Sequence, residues 1–238
     1  MQAIVLAAGM GKRLRKEMNK CMVEVKGITL WDRMICSLKK ANITKVIVVT
    51  GYRAEQLEEF ILRHSKNMEI IFVRNEEYEK TNNIWSFYMA HNFFEEDTIL
   101  LESDLIFEEN LIKKLCEDSN LNVAVLAKYG SWMDGTTVQL ENNQIKQIIS
   151  KKEMYHYDLN SLYKTVNIYK FSKNFLKEQY FPALCEYILQ NGKNEYYEMV
   201  LKKMVEDNKC ILHSLEIEGQ WYEIDTEEDL ENVENLFC

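Results

Sequence analysis

Proline and glycine are scarce in this chain of 238 residues: Pro182 stands alone beside eight glycines. Collagen-like, low-complexity and linker-rich chains need far more of both, so those classes are excluded. Cysteine never occurs in close pairs. Cys21, Cys36, Cys116, Cys185, Cys210 and Cys238 are scattered singly, which removes a zinc site or a dithiol motif, and most of them read as reduced core residues. His64, His91, His156 and His213 are equally dispersed, so neither a histidine metal site nor an imidazole-activated nucleophile has support. No apolar run approaches the ~18–20 residues of a membrane span. The first residues show no basic leader or long apolar segment, so a cytoplasmic protein is expected. Positive charge is also short, with 29 Lys and Arg against 38 Asp and Glu and a net charge of -9. That sign repels a polyphosphate backbone, and neither nucleic acid nor membrane is expected as a partner.

What remains is 47% hydrophobic and 28% charged, enough for one domain over 1–238 that buries a core without disulfides. Apolar runs at 2–7, 45–49, 69–73 and 98–101 predict strands, separated by helical spacing over 29–41, 53–63 and 84–93. Alternation of this kind predicts an α/β fold with a doubly wound, mainly parallel Rossmann-like sheet and ligands at strand C-termini. The second half differs. Strands predicted at 122–127, 137–140, 144–149 and 165–171 lack intervening helices, with a hairpin at 141–143, and form an additional small β region. Helices near 182–189 and 196–206, strands 211–217 and 221–224, and a helix from about Thr226 complete the chain.

Three constellations carry chemistry. The first runs Leu6, Ala7, Ala8, Gly9, Met10, Gly11, Lys12, Arg13 and Leu14, with Lys20 following. A small-residue loop after a strand can surround an anion with backbone amides, and Arg13 and Lys20 supply charge. A tight strand-to-helix turn explains the glycines equally well. The spacing fits neither a Walker loop nor the dinucleotide fingerprint. The second is an apolar strand ending in Glu102, Ser103 and Asp104, matched far along the chain by Glu223 and Asp225, which share a face if that segment is a strand. Carboxylates so placed suit magnesium, although Asp225 could instead cap the helix that follows. The third is Asn82-Asn83-Ile84-Trp85-Ser86, in which the amides either cap a helix or read a base edge.

The string Leu-Ala-Ala-Gly-x-Gly-x-Arg-Leu followed by a lysine resembles the signature of nucleotidyltransferases that activate phosphorylated small molecules, the nucleotide-diphospho-sugar transferase fold. The family usually has proline before that lysine, where Asn19 stands here. Asn-Asn-x-x-Ser at 82–86 resembles the CTP-dependent branch acting on phosphocholine or 2-aminoethylphosphonate. The resemblance implies Lys20 and Arg13 as catalytic, 6–12 with Asn83, Ser86 and Ser103 around the nucleotide, and Mg2+ on Asp104, Asp225 and Glu223. Residues 1–120 would be the nucleotide half and 121–238 the acceptor half.

For the acceptor, Lys128, Trp132, Asp134, Asn167, Tyr196, Tyr197 and Glu198 mix aromatic rings with charge. A quaternary ammonium needs aromatic faces, whereas a primary ammonium needs carboxylates. In the phosphocholine enzymes two cage rings fall near Ala127 and Gly135, where this chain has none. Strings at 128–136 and 164–169 look like 2-aminoethylphosphonate cytidylyltransferases, some of them fused to an aminotransferase, which implies a functional link to such an enzyme. The resemblance also allows a homodimer. The expected partners are CTP and a small phosphorylated or phosphonylated amine. Rival readings are a phosphocholine cytidylyltransferase, a sugar-1-phosphate nucleotidyltransferase and a nucleotide-binding regulator without turnover.

Overall fold

Beyond Gln2, residues 2–7 are wholly apolar, and the computed structural model places them as strand β1 (Gln2–Ala7), buried along its length in mid-sheet. The structure describes residues 1–14 and 18–236, so Cys238 lies outside the described residues. β1 pairs in parallel with β4 (Lys45–Thr50) and β6 (Thr98–Glu102), and β4 pairs in parallel with β5 (Glu69–Arg74). The crossovers are α1 (Leu30–Lys40), α2 (Ala54–His64) and α3 (Asn83–Met89). α1 starts where the sequence places it because the Thr29 hydroxyl accepts the Asp32 amide at 3.0 Å as an N-cap and donates to Asp32 Oδ2 at 2.6 Å.

Strands of the second half continue the same sheet. β8 (Val123–Lys128), β9 (Thr137–Glu141), β10 (Gln144–Ile149), β11 (Tyr163–Phe171) and β12 (His213–Glu216) complete the order β5-β4-β1-β6-β11-β8-β12-β10-β9. β11 runs antiparallel to both β6 and β8, and β12 returns parallel to β8. The β9–β10 hairpin turns on Asn142 and Asn143 with φ 53° and 60°, the left-handed pair that a two-residue turn requires and asparagine tolerates.

Several elements lack a clear sequence signal. They are the hairpin of β2 (Glu24–Val25) and β3 (Ile28–Thr29), β7 (Leu105–Phe107), α4 (Leu111–Glu117), and a π-helical stretch Phe175–Tyr180 that runs into α5 (Phe181–Asn191). β2, β3 and β7 are too short to show a period, and the π stretch shifts the helical register. α6 (Glu198–Glu206), β13 (Trp221–Glu223) and α7 (Glu227–Leu236) complete the described chain.

The period of two along β1 divides the core. Ala3, Val5 and Ala7 face one layer with Trp31, Met34 and Leu38 of α1, Leu57 and Ile61 of α2, and Leu111, Ile112 and Leu115 of α4. Ile4 and Leu6 face the other with Ile84 and Phe87 of α3 and Val200, Leu201 and Met204 of α6. A third cluster joins Leu14, Val23 and Val25 to Ile106, Tyr222, Ile224 and Val233. This cluster matters for function, because Leu14 and Val23 flank Lys20 on the loop and are 0% and 1% exposed. Each contributes roughly 1.5–3 kcal/mol of burial, which pins both ends of the loop.

Of the described cysteines only Cys21 is buried; Cys36 is exposed and Cys116, Cys185 and Cys210 are half-buried, so the expectation of a core position fails for these four. All five are free. Among the described residues no helix is long and apolar enough to cross a membrane.

β11 loses register with β8 between Thr165 and Tyr169, and within that bulge Asn167 is buried with φ 59°. Glycine meets no steric cost there, whereas a β-branched side chain pays about 1–2 kcal/mol for the left-handed backbone. Asn167→Val is therefore expected to lower unfolding free energy by about 2 kcal/mol, with Asn167→Gly costing about 1 kcal/mol or less. Denaturant titration of both checks this, and equal losses would contradict the bulge assignment.

Candidate active site

The loop after β1 owes its shape to one glycine and its openness to another. Gly11 has φ 56°, and a Cβ there would lie 3.2 Å from Lys20 Cγ, so the lysine side chain passes directly over it. Gly9 is different: a Cβ there would meet nothing within 4 Å. Its lack of a side chain relieves no crowding within the protein, which leaves room for a ligand to reach the backbone. The backbone also accommodates Asn19 where the resemblance leads one to expect proline. Asn19 has φ -70°, a value proline would impose, and its amide donates to the Tyr52 carbonyl at 2.8 Å.

Lys20 Nζ lies 2.7 Å from Asp104 Oδ2 and also contacts Asp225 Oδ1, while Arg13 reaches Asp225 Oδ2 at 2.7 Å. Burial alone would weaken the Lys20 charge, but the Asp104 and Asp225 carboxylates overcome it and hold the ammonium above the usual lysine range. The acids converge because β7 and β13 pair antiparallel, setting Glu223 opposite Leu105, and Ile224 N donates to Asp104 O at 2.9 Å. Thr226 and Asp229 cap α7 reciprocally, at 3.1 Å from Asp229 N to Thr226 Oγ1 and 2.7 Å from Thr226 N to Asp229 Oδ2. The capping explanation for Asp225 therefore gives way, and its side chain belongs to the cleft.

Carboxylate oxygens of Glu102, Asp104 and Glu223 lie within 4.8 Å of one another. Asp104 Oδ1 is buried and has no hydrogen-bond partner. Burial first, then the neighbouring carboxylates, pushes the Glu102 carboxyl well above its ordinary range. Glu223 is pushed up to about 7, again chiefly by burial, with Lys164 opposing and Asp104 and Asp225 adding to the rise. Crowded oxygen donors with an orphaned lone pair fit a hard divalent cation. Asp225, expected with the metal set, stands outside this group and beside the cations.

These residues line one cleft of about 850 Å3. Leu6, Ala8, Gly9, Gly11, Lys12, Arg13, Lys20, Asn83, Ser86, Ser103, Asp104, Glu223 and Asp225 all border it, as do Asp134, Asn167, Tyr196 and Glu198. At the base end, Asn82 Oδ1 accepts the Asn83 amide at 2.8 Å, so Asn82 is the cap. Ser86 Oγ accepts Asn75 Nδ2 at 3.2 Å and keeps its own hydrogen to donate.

Five expected residues fall elsewhere. Ala7 is buried in the sheet and Met10 sits off the cleft wall. Lys128 lies over the Tyr163 ring at 4.4 Å, a cation–π contact that draws it outward. Trp132 stacks on Tyr222 at 4.7 Å, which covers one face of its ring and takes it off the cleft wall. Tyr197 is fully buried against Phe87 and Tyr169. Asp134 is on the cleft but half-exposed, and Lys151 already lies 2.7 Å from it; burial would raise this carboxyl, but Lys151 and the Gly135 amide outweigh it and lower it.

The structure adds Glu102, Asn75, Lys151, Lys152 and Lys164 to the cleft. Lys164 is 2% exposed, donates to Thr165 O at 2.6 Å and lies 3.8 Å from Glu223. A lysine inside an otherwise core-facing strand was the available signal, as was the i, i+2 spacing of Glu102 and Asp104.

Residues 3–193 match the MobA-like NTP transferase domain family. The chain is 30% identical over 257 residues to the CTP:phosphoglutamine cytidylyltransferase of Campylobacter jejuni, covering 97% of this chain and 98% of that one. It is 33% identical over 114 residues to the 2-aminoethylphosphonate cytidylyltransferase of Lancefieldella rimae, covering 46% of this chain and 45% of that one. The solved structure of CTP:phosphocholine cytidylyltransferase from Streptococcus pneumoniae superposes with a TM-score of 0.83 at 19% identity, over 100% of this chain and 99% of that one. That likeness establishes the nucleotide-diphospho-sugar transferase type of fold.

The two glycines have separable consequences. Gly11→Ala should cost about 1–2 kcal/mol of stability, because alanine must adopt a left-handed backbone. Gly9→Ala should leave unfolding free energy unchanged or raise it by up to about 1 kcal/mol, yet weaken nucleoside triphosphate binding by about tenfold or more, or 1.4 kcal/mol. Denaturation and calorimetric titration measure the two effects, and unaltered nucleotide binding by Gly9→Ala would show that the loop is only a turn.

Proposed function

This chain belongs to the MobA-like NTP transferase domain family, and we propose that within it the chain transfers CMP from CTP to 2-aminoethylphosphonate, releasing pyrophosphate. The observation that carries the acceptor is the character of the cleft wall beyond the nucleotide loop. Glu198 is 6% exposed there, Asp134 and Glu195 stand nearby, and Tyr78 and Tyr196 are the only rings among the described lining residues. A primary ammonium gains charged acceptors from such a wall, whereas a quaternary one would find two tyrosine rings at most. The cytidylyltransferase names of the relatives support CTP as donor.

The chemistry asks little of a protein nucleophile. A phosphonate oxygen is already anionic, so the tasks are to bring two anions together, align them for in-line displacement and neutralise the charge that builds at the α-phosphorus. Lys20, held at Asp104 and Asp225 in the resting cleft, supplies the cation between attacking oxygen and α-phosphate. Arg13, Lys12 and the backbone at Gly9 hold the triphosphate. The Ser86 hydroxyl donates to the cytosine edge, with Asn75 fixing its oxygen. Lys164 faces the acceptor's anionic group from the sheet, and Glu198 accepts its ammonium. Asp104, Glu223 and Glu102 would hold a magnesium ion, with Asp225 a further carboxylate of the same cleft, and that ion would supply Lewis-acid charge at the phosphates.

Pyrophosphate release should be fastest with CTP among the four ribonucleoside triphosphates and with 2-aminoethylphosphonate among phosphocholine, phosphoglutamine and sugar 1-phosphates. Lys20→Met should reduce kcat by about 100-fold or more with CTP affinity changed far less. Glu198→Gln should reduce kcat/KM for 2-aminoethylphosphonate by about 30-fold, whereas Asp134→Asn, half-exposed and already paired with Lys151, should cost about fivefold or less. Phosphocholine or phosphoglutamine preferred by about tenfold would overturn the acceptor and leave the CTP chemistry standing.

A further inference from the structure

Asn83 is the first residue of α3 and borders the cleft, yet its amide is engaged by the protein itself. Nδ2 donates to Glu102 Oε1 at 3.0 Å, and Oδ1 accepts the backbone amide of Tyr197 at 3.0 Å. Tyr197 immediately precedes Glu198, so this bond fixes the start of α6. Two further backbone bonds run beside it, Asn82 N to Lys193 O at 3.0 Å and Ile84 N to Glu195 O at 3.2 Å. Lys193 closes the seam from outside, with Nζ 2.7 Å from Glu77 and 3.8 Å from the centre of the Trp85 ring. The base end and the acceptor end of the cleft are thus stitched along one line, and Asn83 is its only side chain that also reaches the acidic cluster.

A base-reading role is a poor fit. With Oδ1 on Tyr197 N and one Nδ2 hydrogen on Glu102, a single hydrogen is left for a ligand, so the amide cannot present the paired donor and acceptor that reading a base edge uses. The amide cannot turn over either, because both of its present bonds would then face like against like.

We propose that Asn83 is a positioning residue that couples the two ends of the cleft, holding the Glu102 carboxylate with its donor and the helix that bears Glu198 with its acceptor. This rests on the cytidylyltransferase reading for its kinetic consequences but not for its physical one. Asn83→Ala removes both arms; Asn83→Asp keeps an oxygen for Tyr197 and loses the donor to Glu102.

Hydrogen exchange at the Tyr197 amide reads the acceptor arm without turnover. Protection should fall about tenfold in Asn83→Ala and survive in Asn83→Asp. In steady state, Asn83→Ala should raise KM for 2-aminoethylphosphonate about tenfold or more while the CTP-over-UTP ratio stays within about twofold. Asn83→Asp should return that KM to within about threefold of native and keep kcat about tenfold down, because a second carboxylate now faces Glu102. A collapse of CTP-over-UTP discrimination at unchanged acceptor KM would make Asn83 a base reader, and unchanged Tyr197 exchange in Asn83→Ala would overturn the bridge. If Asn83→Ala does not fold, the same discrimination and kcat measurements on the nearly isosteric Asp variant decide. A native protein that fails to turn over CTP would refute the function instead, and the exchange result would still stand or fall alone.

Discussion

Everything at the strand ends is arranged around one ammonium group held between two carboxylates. Lys20 with Asp104 and Asp225 draws together three segments separated by 84 and 205 residues in sequence. Their side chains are 17%, 8% and 15% exposed, so each ion has given up most of its hydration. Desolvation of that kind costs on the order of several kcal/mol per ion, and an apolar trio of similar volume would often fold as well or better. The arrangement is therefore poor evidence for stability and good evidence for use. It stores a cation in the cleft with partners that a polyphosphate and a metal ion can take over.

The packing serves that store. The third apolar cluster anchors Leu14 and Val23 on either side of Lys20 and seats Tyr222 and Ile224 on either side of Glu223, while the cap formed by Thr226 and Asp229 frees Asp225. Among the described residues a thiol or imidazole nucleophile is not at hand. Cys21 is fully buried with its thiol pushed up to about 12 by burial, and among the described residues no cysteine or histidine lines the cleft. Charge and alignment are the means the chain has, and these suffice when the attacking oxygen arrives ionised.

Much of this was legible in the sequence. The unbroken apolar run at 2–7 marks a strand buried on both faces, and the 3.6 period over 29–41 marks the buried face of α1. The loop from Leu6 to Lys20 and the acids at Asp104 and Asp225 were readable because each breaks an apolar pattern at a strand end. Three of the expected acceptor residues were not, and these failures have a common cause. Lys128, Trp132 and Tyr197 were chosen by type, but direction depends on contacts with Tyr163, Tyr222 and Phe87 from distant segments. The local signals at Glu102 and Lys164 do not assign a role by themselves, because it is the β7–β13 pairing of distant segments that brings Glu223 to them.

If Lys20 and its carboxylates drive a single direct displacement at the α-phosphorus, no covalent enzyme intermediate forms. The stereochemical course with CTP carrying a chiral α-thiophosphoryl group tests it most directly. Inversion of configuration at that phosphorus is expected in the CMP conjugate. Retention would require two displacements, and with them a nucleophile on the protein, which would contradict it.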